Sequence, residues 1–367
     1  MFHEYQSDYY MEMTTMANWE LVSSNVIASH QAGNDFDLMS VNHVDVLAYI
    51  RGGLIQTIQP FMDNSGVNFN DIIFPNLLEA GMYQNRQYTL PINTDTRVIA
   101  VNLDLLAQHG QTVPTTMDEF VEASRAVTQD GNFGFVLHLT ANPYISTYDM
   151  GIFLRSIGGQ LYVIEPDGRA VATIDTPEMR EYFEFVLTML NYMPGDTLTI
   201  VGDDSRRYFA SGNIAFYMYG PWELNLMPDL DFNYELIRVP AGPNGSRSNA
   251  GGFHWGMGSG SQHSEGAWEF MRFTTTNPEL LGMAAIASGL PTAPASYDLP
   301  PFNSGAYDIF LEQLAYSGLP QIPVANLPEV VSEFHIYWED LLFGNITVEE
   351  AVTQAQVSVQ AVLDRMN

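Results

Sequence analysis

The stretch FASGNIAFYMYGPW, residues 209–222, decides the class of the fold. A short helix from Asp203 to Ala210 is stopped by Gly212. The apolar run Ile214–Tyr219 reads as a strand, and Gly220-Pro221 breaks it. Trp222 is thereby left on the rim beyond the strand end, where ligands collect in open α/β sheets.

The same alternation of short strand and longer helix extends in both directions. Upstream, the turn Gly33-Asn34-Asp35 leads into a strand over Phe36–Val41, and Val44–Arg51 reads as a helix stopped by Gly52-Gly53. Tyr88–Pro91 and Arg97–Val101 read as strands around the polar insert Asn93-Thr94-Asp95-Thr96. Thr115 or Thr116 caps the next helix, with Asp118 and Glu119 in its first turn. Phe135–Leu139 is a further strand, followed by a loop over 140–144, a helix from about Ser146 to Ile157, and a helix opening at Asp175-Thr176-Pro177-Glu178. Downstream, the strand Tyr234–Val239 runs into the Gly- and Pro-rich segment Pro240–Gly252, where the chain is expected to change lobe. Ser264–Thr274 and Val348–Met366 complete the set as helices. The pattern predicts α/β lobes with mixed, mostly parallel sheets.

At 367 residues the chain exceeds the ~250–300 at which one core usually splits, so two lobes are expected. Apolar residues make up 46% and charged residues only 15%, which excludes disorder as the main state. The net charge of −30 repels phosphate backbones and anionic lipid surfaces, and nucleic acid is excluded as a partner. All 13 basic side chains are arginine, a bias that an alkaline or saline exterior and compositional drift explain equally well. Cysteine is absent, so disulfides and thiolate chemistry are unavailable. No apolar run is long enough to span a membrane, and the polar start Met1–Tyr10 is unlike a signal peptide.

Motifs for familiar chemistries are weak or missing. The histidines are scattered singly and no HExxH occurs, so no metal site is expected. Gly256, Gly258 and Gly260 resemble a phosphate loop but come without its lysine, and without a third glycine at the dinucleotide spacing. Ser259 and Ser261 lack glycine at both −2 and +2, which a nucleophile elbow requires. The stronger pattern is a set of polar and aromatic residues just past strand ends: Asn42, His43, Asp95, Arg97, Pro143, Tyr144, Tyr219 and Trp222. An aromatic face covers the C–H patch of a sugar ring while Asp, Asn, Arg and His bind its hydroxyls. Each also has a local explanation: His43 as a helix cap, Asp95 as the anchor of its turn, Arg97 as a structural ion-pair partner. Trp268 and Trp338, on helices, read as packing.

Six segments in order resemble the extracellular solute-binding proteins of bacterial ABC importers, the group that includes the maltose-binding and other sugar-binding proteins. They are GNDFDLMSVNH (33–43), YTLPINTDTRVIAVNLDLL (88–106), FASGNIAFYMYGPW (209–222), EGAWEFMRFTTTNPE (265–279), SGLPTAP (288–294) and GNITVEEAVTQAQ (344–356). The resemblance implies a two-lobed periplasmic-binding-protein clamshell, type II-like, that closes on a solute and presents it to the ABC permease membrane subunits. It implies lobe 1 over 1–100 plus 252–295 and lobe 2 over 101–251 plus 296–367, with hinge crossings near 97–103, 240–252 and 291–300. By position, Asn42 and His43 match a first-lobe loop that touches sugar, Asp95 a hydroxyl acceptor and Asn142-Pro143-Tyr144 a stacking loop. Trp222 matches the stacking tryptophan, and Phe253, His254 and Trp255 follow the second crossing. Apart from the resemblance, Asp45 joins Asp95 as a carboxylate expected in the cleft and completes the ligand-binding set. Met1–Glu4 resembles the family's second strand, so the N-terminal strand and helix, with the secretion signal and lipidated cysteine, are expected to be missing from this chain. Near Val330 it lacks the late aromatic of the maltose-binding members.

The expectation is an extracytoplasmic, monomeric carbohydrate-binding subunit, in the periplasm or lipid-anchored at the cell surface, with no cofactor and no catalysis, for a ligand of one to three sugar units. Three rivals are a glycoside-active enzyme with the same aromatic cleft, a binding protein for a cationic solute such as a polyamine, and a surface interaction protein with no small ligand.

Overall fold

Among the described residues, seven strands form the two main sheets: β1 (Leu38–Asn42), β2 (Thr89–Pro91), β3 (Val98–Asn102), β4 (Phe133–Val136), β5 (Ile214–Tyr219), β6 (Tyr234–Ile237) and β7 (Phe253–Met257). The computed structural model describes residues 1–16, 19–137, 139–140, 143–200, 204–287, 289–317, 324 and 327–365. The chain divides into two compact units. One is built from Met1–Asp95 and Gly251–Tyr307, joined by Val324; the other from Thr96–Ala250 and the remaining chain after Tyr307.

In the first unit the sheet order is β1-β7-β2, with both pairs antiparallel. The period of two sends neighbouring β1 residues to opposite faces. Leu38 packs on a cluster with Ile58, Phe69, Leu90, Met257, Trp268 and Met271, while Met39 and Val41 join Val46, Tyr49 and Ile55.

In the second unit the order is β6-β3-β5-β4. β5 is buried along its whole length, as a strand covered on both faces must be. Phe216 meets Phe120 at 4.6 Å between ring centroids, and Phe120 meets Phe135 and Phe153 at 5.5 and 5.8 Å. These rings pin the helices Met117–Val127 and Pro143–Ile157 to the sheet. Thr116 caps the first of them with a full capping box to Glu119. The helix Leu327–Leu342 inserts Trp338, whose Nε1 donates to the Leu139 carbonyl at 2.9 Å and whose ring stacks on Tyr182. Trp268 and Trp338 are thus core residues.

Three local expectations are corrected. The sheets are not mostly parallel: among the described pairs of the two main sheets only β4–β5 is parallel. Helical crossovers inside one unit lie between those two strands, whereas β3 and β7 lie where the chain has just changed unit and run against their neighbours. Phe2–Tyr5 is a helical turn rather than a strand, because Phe2 anchors it edge-on to Phe270 at 5.1 Å. The helix expected from Ser146 starts at Pro143, where proline's fixed φ and missing N–H suit the first turn.

Candidate functional site

The register of β3 against β5 builds the site of the second unit. Tyr219 faces Val98, so the chain leaving β5 turns through Gly220 and Pro221 beside Arg97, the residue before β3. A Cβ on Gly220 would fall within the Trp222 ring, at Cη2, Cζ2 and Cζ3; only glycine lets the indole fold back over the turn. Arg97 places its guanidinium carbon 4.6 Å from the Trp222 ring centroid and 4.7 Å from that of Tyr148. Its Nε donates to Asp149 Oδ1 at 3.0 Å, and its backbone N–H donates to Ser248 Oγ at 3.1 Å. With the arginine side chain 14% exposed, a cation–π contact of this kind is worth ~1–2 kcal/mol.

A second charge pair holds the indole edge. Glu223 is 2% exposed. Its Oε1 accepts from Trp222 Nε1 at 3.1 Å, from the Tyr217 hydroxyl at 3.0 Å and from Arg206 Nη2 at 3.0 Å, and its Oε2 accepts from Arg206 Nε at 2.5 Å. Burial, and next the Glu223 charge, push the Tyr217 phenol well above its ordinary range, so it remains a donor. The forked guanidinium offsets the cost of burying the carboxylate.

In the first unit, antiparallel pairing sets the end of β1 against the start of β7, with Asn42 opposite Phe253 and Val41 opposite His254. Asn42, not His43, caps the following 3-10 turn, accepting from the Val44 N–H at 3.3 Å. His43 and Asp45 are buried in that turn, and the His43 N–H donates to the Gly252 carbonyl at 3.0 Å. Burial pushes the Asp45 carboxyl up to about 6. His254 Nδ1 lies 2.9 Å from Thr89 Oγ1, and burial, then the neighbouring His43, lower its pKa to about 3, leaving a neutral imidazole. Asp95 is buried at the end of this unit, its backbone paired with that of Gly251. Among the described residues no group of His, Asp and Glu is placed to hold a metal ion, and no helix is long and apolar enough to cross a membrane.

The sequence pattern of the bacterial extracellular solute-binding proteins matches residues 1–307. The chain belongs to that family. One relative of this solute-binding protein is the maltotriose-binding protein of Pyrococcus abyssi (strain GE5 / Orsay), 21% identical over 263 residues, which are 70% of this chain and 54% of the relative. The match therefore spans about half the length of that relative. Maltose-bound MalE3 of T. maritima superposes with a TM-score of 0.85 at 22% identity, covering 98% of this chain and 94% of that one. The ABC substrate-binding protein Lmo0181 from Listeria monocytogenes, in complex with cycloalternan, gives 0.86 at 19% identity, covering 99% and 94%. The solute-binding protein shares their two-lobed α/β fold.

The structure gathers Arg97 and Trp222 in one unit, and Asn42, His43, Asp45, Phe253 and His254 in the other. Two residues of the expected set are packing groups. Tyr219 is 1% exposed and lies edge-on to Tyr217 and against Phe310, because β5 has no open face. Trp255 points to the opposite side of β7 from His254 and packs on the Trp268 cluster, edge-on to Phe270 at 5.5 Å. Phe253 is half-buried, its N–H donating to Asn93 Oδ1 at 2.8 Å. Asn142 lies outside the described residues, and so do the side chains of Pro143 and Tyr144, whose backbone opens the helix Pro143–Ile157. Four residues of the site escaped the sequence: Tyr148, Asp149, Arg206 and Glu223. Glu223 carried one usable signal, a carboxylate placed directly after the rim tryptophan.

Proposed function

We propose that the protein is the extracytoplasmic binding subunit of an ABC importer and captures a neutral mono- or small oligosaccharide for delivery to the permease, as a monomer and without catalysis. The observation that carries this is the half-buried Trp222 indole flanked by charges that cancel in pairs: Arg97 with Asp149, and Glu223 with Arg206. A ring face with directional hydrogen-bonding groups and no uncompensated charge suits a polyhydroxylated ring better than an ion. The ligands in the names of the relatives, maltotriose, maltose and cycloalternan, are of that class. An extracellular family supports a periplasmic or surface-anchored location.

Calorimetry and thermal-shift titration against maltose, maltotriose, monosaccharides and spermidine test the reading. A neutral sugar is expected to bind and raise the melting temperature, with no product released on prolonged incubation with glycosides. Trp222→Ala is expected to weaken that binding by about 2 kcal/mol, roughly thirtyfold. Stabilisation by spermidine and by no sugar rejects the substrate class; released product rejects the absence of catalysis.

A further inference from the structure

Trp222 ends a Gly-Pro turn, and its ring folds back over Gly220. The ring is also held by its polar edge. Its one hydrogen-bonding atom, Nε1, donates to Glu223 Oε1, and that same oxygen also receives the Tyr217 hydroxyl and Arg206 Nη2. Tyr217 comes from β5 and Arg206 from the helix Asp204–Ala210, so two elements of one unit converge on a single carboxylate oxygen.

We infer that Glu223 is the positioning residue for ligand stacking: its buried carboxylate, fixed by Arg206 and Tyr217, holds the Trp222 indole in the plane that receives the sugar ring. The inference rests on the reading of Trp222 as the stacking residue. An ion pair serving stability alone is complete with the two Arg206 bonds; here the carboxylate also takes the indole N–H, a charge-assisted bond stronger than one to a neutral acceptor. A ring whose rotamer is set before the ligand arrives loses no orientational freedom on binding, and that saving appears as affinity. Arg97 reinforces the arrangement by lying on the ring at 4.6 Å. Glu223 does not touch the ligand in this scheme; it acts through Trp222.

The test reads the indole directly. With 15N labelling each of the five tryptophans gives one indole N–H signal, and Trp222→Phe assigns that of Trp222. Glu223→Gln keeps a carbonyl acceptor without charge, and Glu223→Leu removes the acceptor. The Trp222 signal is expected to move toward the free-indole position in Glu223→Gln and further in Glu223→Leu, while the other tryptophan signals stay in place. Titration with maltotriose is expected to weaken about threefold in Glu223→Gln and about tenfold in Glu223→Leu, as loss of part or all of one charge-assisted bond requires. An unmoved Trp222 signal in folded Glu223→Gln overturns the inference, as does unchanged maltotriose affinity in folded Glu223→Leu. If the wild type binds none of the sugars, the stacking reading falls, and the indole signal still decides whether Glu223 holds the ring.

Discussion

Arg97 and Trp222 stand 125 positions apart in the chain and meet with the guanidinium carbon over the ring, 4.6 Å from its centroid, because Val98 and Tyr219 share a rung of the second unit's sheet. The contact joins a strand start to a strand end. It also brings Asp149 into the site, since the same guanidinium donates to that carboxylate.

Replacing Arg97 therefore removes a ring contact and the Nε bond to a buried carboxylate. Arg97→Met is expected to lower the unfolding free energy by about 2–3 kcal/mol in urea, because Asp149, with its side chain 11% exposed, loses the Arg97 guanidinium. Adding Asp149→Asn should recover part of the loss, and the double-mutant cycle should give a coupling of at least ~1 kcal/mol. Additive effects would show that the pair contributes nothing beyond its separate members.

Gly220 makes a sharper prediction. Its missing Cβ is the space the Trp222 ring occupies. Gly220→Ala must push the indole off both Arg97 and Glu223 Oε1, and a cost of about 2 kcal/mol in stability is expected from the lost contacts. In a Trp222→Ala background the same substitution should cost under about 0.5 kcal/mol, since the clashing ring is gone. Equal costs in both backgrounds would mean that the alanine acts through the backbone instead.

The fold was legible in the sequence wherever one element carried its own signal. Ile214–Tyr219 lies between Gly212 and Gly220, and Thr176-Pro177 announces a helix that runs to Leu190. Strand direction was not legible, because β3 and β7 pair with partners far away in sequence and periodicity carries no information about which way a partner runs. The site divides along the same line. Trp222 and Arg97 stand next to visible strand ends, but Asp149 lies inside a helix and Arg206 inside another, where a charged residue reads as a solvated face. Tyr219 misled for a related reason: strand-end position was visible, while the burial of β5 on both faces depends on helices distant in sequence.

The first unit makes a prediction about acid. Asp45 is raised from 3.8 to about 6 by burial, so its contribution to stability is present below pH 3.8 and is lost as pH rises to about 6. His254 is lowered from 6.5 to about 3 by burial and by His43, so its contribution is present above pH 6.5 and is lost as pH falls toward 3. The two slopes are opposite and overlap between about pH 4 and 6, where they largely cancel. Removing either group should expose the other. Asp45→Asn is expected to stabilise the protein at pH 7 by up to ~3 kcal/mol, with no gain at pH 4, and so to steepen its loss of stability in acid. His254→Asn is expected to do the reverse, its stability relative to wild type falling as pH rises from 4 to 6. Urea unfolding of the three proteins at pH 4, 5, 6 and 7 reads these differences directly. Variant profiles parallel to that of the wild type would mean that neither group changes its proton affinity when the first unit folds.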